Sequence, residues 1–160
     1  MDAKERIVEM RLVCLLVVVA FVVGVPAALA EGSDPNGKAT FVSPIKVSGK
    51  AATLSVRYQC ASGEALWVSA KQTKSGVSAA RLQKEGASKA ASAWWDSHRN
   101  RFVCNGKPHT GTFTIDKVEP GKKGTLVPGT AWVQFCVTTG HTEKTTVLIL
   151  SKSGWVHVTA

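Results

Sequence analysis

An antiparallel β-sandwich of about seven short strands is the fold this sequence predicts, on three observations. Residues 39–160 run through short apolar–polar alternations with almost no helical periodicity. Turn formers such as Ser48-Gly49-Lys50, Asn105-Gly106 and Val127-Pro128-Gly129 punctuate those runs. Cysteines close two of the alternating runs, Cys60 and Cys104, and offer a covalent tie between strands.

Residues 1–30 read as an address and not as part of the fold. Arg6 and Arg11 precede an apolar run from Leu12 to Val25. Pro26 ends it, and Ala28-Leu29-Ala30 supplies the small residues of a signal-peptidase site. The run is short for a membrane span, which wants about 20 apolar residues, so membrane contact is expected only through an uncleaved signal. Residues 31–38 then form a flexible lead, and residues 39–160 a single β-sandwich domain. The expected localisation is extracellular, secreted.

The formal net charge is +9. In the leader Lys4, Arg6 and Arg11 cancel Asp2, Glu5 and Glu9, so the whole excess falls on the rest of the chain. It is spread from Lys38 to Lys152 without a basic run. Such a field attracts polyanions loosely and suits an anionic cell-wall polymer as partner. Sequence-specific recognition of nucleic acid needs a concentrated basic face and a reading module, and neither is present.

In chain order, residues 39–47 predict a strand broken by Pro44, which cannot donate to a ladder and belongs on an edge or at a switch between sheets. Residues 52–60 alternate most cleanly, with Ala52, Leu54, Val56, Tyr58 and Cys60 on one side. In residues 64–73, Leu66, Val68 and Ala70 oppose Trp67, Ser69 and Lys71. Residues 74–92 are rich in Ala, Ser, Gly and Lys, and their pattern leaves strand, loop and brief helix open. Residues 101–115 predict a β-hairpin with Asn105-Gly106 at its tip. Residues 130–139 put Ala131, Val133, Phe135 and Val137 on one face and Trp132, Gln134 and Cys136 on the other. The tail, residues 144–159, predicts one long bulged strand or a closing hairpin.

Beyond the leader stand Cys60, Cys104 and Cys136, an odd number for an oxidising compartment. Parity favours a disulfide between Cys60 and Cys104, which share faces with Leu54, Val56 and Tyr58 and with Phe102. Turning Cys136 inward would bury Gln134 and expose Val133, Phe135 and Val137. The rival pairing, Cys60 with Cys136, copies the inter-sheet bridge of immunoglobulin domains, but Gln134 occupies the place where those domains carry a tyrosine. Cys136 is then left on the outer side of its strand, with a covered free thiol favoured over one capped by a small thiol or joined to a second copy.

Tyr58-Gln59-Cys60, the run LWVSAKQ, then VCNGKPHTGTFTI from Val103 and VPGTAWVQF from Val127 follow one another in an order that resembles a known group. It is that of small secreted actinobacterial immunoglobulin-like β-sandwich domains of unassigned function. The most specific piece is Cys-Asn-Gly-x-x-His, Cys104 to His109. The resemblance implies that the first two of these cysteines pair, assigns no catalytic residue, and does not include Cys136.

No pair of the four histidines stands at metal-ligand spacing. No nucleophile elbow occurs, and Asp96 and His98 flank a Ser97 that strand alternation turns away from them. We therefore expect no catalytic residue, metal or other cofactor. Trp94, Trp95 and Trp132 are the candidate binding surface, with Trp155 beside them in type. Trp132 lies on the non-core side, and two adjacent indoles of an extended chain cannot both face inward. The expectation is a secreted, non-catalytic binding or envelope-associated module that meets an anionic cell-wall polymer or a secreted protein. The alternatives are an inhibitor of secreted hydrolases and a small extracellular enzyme.

Overall fold

The computed structural model describes residues 37–83, 90–99, 101–118, 124–139 and 146–160. The leader (1–30), most of the lead and residues 119–123 lie outside them, as does His141. Alternation sets the strands. They are β1 (Lys38–Phe41), β2 (Ile45–Ser48), β3 (Ala51–Gln59), β4 (Ala65–Gln72), β5 (Ala93–Arg99), β6 (His109–Ile115), β7 (Lys117–Val118), β8 (Gly129–Thr139) and β9 (Val147–Thr159). The region between β4 and β5 holds a short 3-10 turn at Ala80–Leu82.

Two layers face each other. One is built on β3, with β6 on one edge and β1 and β2 on the other. The second runs β9–β8–β4–β5–β7 in antiparallel order. They join where Ile45 and Lys46 of β2 pair in parallel with Val158 and Thr159 of β9, so the hydrogen-bonded order is continuous. That short parallel ladder departs from the purely antiparallel expectation. The rest is the predicted all-β sandwich.

The core lies between the layers. Leu54, Val56 and Ile115 from the first layer and Leu66, Val68, Val133, Phe135 and Val137 from the second have no exposed area. Tyr58 and Phe113 meet Phe135 across the gap, with ring centroids 5.7 and 5.4 Å apart. Such pairs add about 0.5–1.5 kcal/mol each beyond the area they bury. The predicted register of β8 holds, since Val133 and Phe135 are buried among these residues.

Pro44 acts as expected at an edge. Phe41 opposes Val56 whereas Lys46 opposes Thr53, so extra residues bulge out around Pro44 before β2 resumes along β3. Gly49 (φ 60°) makes the turn into β3. The tail is one long strand, with a register shift where Thr138 meets Leu148. Gln72 acts as an extra rung, its amide bonding both the C=O and the N–H of Val127 and so fixing the approach to β8.

The expected hairpin at 101–115 is corrected. Residues 101–108 form no strand, and β6 pairs with β3 from Tyr58–His109 to Ala52–Ile115. The reason is covalent. Cys60, just past the end of β3, is bonded to Cys104, and the Gly106 N–H donates to the Cys60 carbonyl at 2.8 Å. Asn105 accepts the Lys107 N–H on its own side chain, and Gly106 takes φ 77°. The Asn-Gly pair thus turns the chain around the tip of β3 and delivers β6 to that strand's edge.

The parity-favoured Cys60–Cys104 disulfide spans a sequence separation of 44. A loop of that length is worth about 4 kcal/mol in the chain-entropy account. Cys60→Ala/Cys104→Ala is expected to lower the unfolding free energy by about 3–4 kcal/mol in a urea titration. A loss below about 1 kcal/mol would show that the bridge does not anchor β6.

An aromatic and polar face on the second sheet

Because β5, β4, β8 and β9 pair without a slip through their middle, their outward residues fall into rows. The first row is Trp94, Lys71, Trp132 and Trp155. The second is Asp96, Ser69, Gln134 and Ser153, and the third is His98, Trp67, Cys136 and Ser151. Neighbours in a row stand about 5 Å apart and successive rows about 7 Å apart. Each of these side chains is outward because its strand neighbours, such as Leu66, Val68, Ala70, Val133 and Phe135, are needed in the core.

Of the three tryptophans singled out in the sequence, two are here. Trp94 and Trp132 are half-buried on this face, in one row with Trp155. Trp95 is corrected: it is 3% exposed, packs in the core, and gives its indole N–H to the Gly124 carbonyl at 2.8 Å. As parity requires, one of the adjacent indoles faces in and the other out.

Lys71 sits at the centre of the first row and is only 1% exposed. Its ammonium donates to Gln134 Oε1 at 2.8 Å and lies 4.6 Å from the centroid of the Trp94 ring. A buried ammonium needs such partners, since an unpaired charge there costs several kcal/mol. Trp132 and Trp155 meet edge to face, with centroids 5.2 Å apart. In the other rows the Trp67 indole N–H donates to Asp96 Oδ2 at 3.4 Å, and the Trp67 ring stacks with His98. His98 Nε2 lies 3.5 Å from the same carboxylate oxygen.

Several polar atoms here are buried and have no hydrogen-bond partner among the described residues. They are Trp94 Nε1, Trp132 Nε1, Ser69 Oγ and both ring nitrogens of His98. An indole N–H can only donate. Leaving such a group buried and unpaired costs about 1–3 kcal/mol.

Other candidates do not converge. Ser97 turns to the opposite side of β5 from Asp96 and His98, as alternation requires. Trp67 stands between His98 and Cys136 in their row. His109 lies in the first layer, at the start of β6, 2.8 Å from Asn105 Oδ1. Among the described residues no group of three His, Cys, Asp or Glu side chains is placed to hold a metal ion. No helix among them is long and apolar enough to cross a membrane.

Lys71, Gln134, Asp96, Ser69 and Trp67 were not singled out in the sequence as site residues. The alternation of β4 and β8 already placed Trp67, Ser69, Lys71 and Gln134 on outward faces. What a single sequence could not show is that β4 pairs with both β8 and β5.

No family model matches this chain, and no curated protein matches it. Among solved structures, one described as "Crystal structure of the C-terminal domain of wzt" aligns over 81% of this chain and 82% of that one, with 14% identity and a TM-score of 0.34. A likeness that loose carries no functional conclusion.

Cys136 is free, 3% exposed, and packed with Trp67 and Leu148. The thiol is expected to resist maleimide in the native protein and to react fully in denaturant. Rapid native labelling, or a disulfide dimer through Cys136, would contradict the packing seen here.

Proposed function

We propose that this protein is a secreted, non-catalytic binding module for cell-wall glycan, and that the outer face of β5–β4–β8–β9 is its binding surface. The observation that carries the reading is the pair of half-buried indoles, Trp94 and Trp132. Both have N–H groups without an acceptor, and they stand on either side of Lys71. A sugar ring suits such indoles, because its C–H face stacks on the part of each ring that stays accessible.

Export is supported by the leader-like residues 1–30 and by the disulfide, which persists in an oxidising compartment. The net charge of +9 supports an anionic wall polymer over a neutral one.

Isothermal titration against soluble wall-polymer fragments tests the proposal. Trp94→Ala/Trp132→Ala is expected to weaken binding by about tenfold or more, since an anchoring indole contributes on the order of 1–2 kcal/mol. The unfolding midpoint is expected to fall, because Trp94→Ala removes a contact of the buried Lys71 ammonium and Trp132→Ala one with Trp155, so affinities are compared at a temperature where the variant is folded. Unchanged affinity in a folded double variant would remove the face from consideration.

A further inference from the structure

The outward side of the first layer carries a second arrangement, independent of the tryptophans. Thr53 has Thr114 of β6 on one side and Lys46 of β2 on the other. Arg57 has Thr110 on one side and Thr40 on the other, and Gln59 pairs with Lys38. Between them Ser55 Oγ and Thr112 Oγ1 share a hydrogen bond of 2.9 Å. Lys38, Lys46 and Arg57 come from separate stretches of chain, yet pairing draws them into one line along the seam between β3 and β1/β2. From the level of Thr53 to that of Gln59 this line runs about 20 Å, at about 3.4 Å per residue.

All three cations are exposed, and none forms an ion pair with a described residue. The rows from Thr53 to Gln59 carry no Asp or Glu. The nearest acid by register is Asp116, one row beyond Thr114 at the end of β6. Hydroxyls of Thr40, Thr53, Ser55, Thr110, Thr112 and Thr114 flank the line, adding donors that need no charge of their own. The surface is extended and bears one sign of charge, with the exposed Val42 beside Ser55 as an apolar interruption.

We infer that this seam is a docking track for a linear polyanion, a chain of phosphodiester or similarly repeated anionic groups laid along β3. Cations spaced over about 20 Å fit a polymer with charges at intervals and exceed what a single small anion would use. The track is a second surface, so it stands or falls apart from the glycan reading of the tryptophan face.

The test measures binding of linear polyphosphate across a salt series. For Lys38→Gln/Lys46→Gln/Arg57→Gln, affinity at low salt is expected to fall by about tenfold or more. The slope of log K against log salt should flatten by about 2, near the value for three lost contacts on a flexible polyanion. Lys74→Gln/Arg81→Gln/Arg101→Gln removes the same charge from exposed positions elsewhere and is expected to bind nearly as the parent does. Equal losses in the two triple variants would mean that net charge alone attracts the polymer, and the track would be refuted. Loss in Trp94→Ala/Trp132→Ala with none in the seam variant would place the polyanion on the tryptophan face and equally overturn the inference.

Discussion

The pairing of β4 between β5 and β8 is the constraint on which the rest of the second sheet depends. Leu66, Val68 and Ala70 are fully buried, and they hold β4 in one of its two possible orientations. Rotating the strand by one residue would bring Trp67, Ser69 and Lys71 into the core and take those apolar groups out of it. Burying a Leu or Val is worth about 1.5–3 kcal/mol, and an ammonium in the core would cost several more. The composition of the outer face therefore follows from the demands of the inner one. Lys71 stands among tryptophans because no lysine can stand beside Phe135.

The disulfide does the corresponding work for the first layer. By fastening residue 104 to the end of β3, it determines which edge β6 reaches, and so brings Thr110, Thr112 and Thr114 alongside Thr53, Ser55 and Arg57. The aromatic contact of Tyr58 and Phe113 with Phe135 then holds this layer against the second. One molecule thus presents two outward surfaces of different chemistry. One is aromatic with a buried cation. The other is hydroxylated with exposed cations.

Much of this was legible in the sequence wherever one strand's alternation decided the matter. The inward faces of β3 and β8, the break at Pro44 and the Cys60–Cys104 pairing all follow from period-two patterns and turn chemistry. Trp132 was legible as an outward residue for the same reason. What failed was pairing. Asn105-Gly106 looks like a hairpin tip because its backbone preference is local, whereas a covalent bond to Cys60 decides what that turn connects. Trp95 could be separated from Trp94 only once β5 had a partner strand to set its parity. The cluster of Lys71 with Gln134 and Trp94 joins residues from three strands far apart in the chain, and no single stretch encodes it.

The central claim is that ligand meets the outer face of β5–β4–β8–β9, and the indole N–H resonances report on it directly. Trp94 and Trp132 have N–H groups without acceptors, whereas that of Trp95 is bonded to Gly124 and that of Trp67 to Asp96. In a titration with soluble wall-glycan fragments followed by nitrogen–proton correlation spectra, the Trp94 and Trp132 signals should shift together as ligand stacks on their rings. The Trp95 signal should stay in place. Saturable binding that leaves Trp94 and Trp132 unmoved would contradict the account.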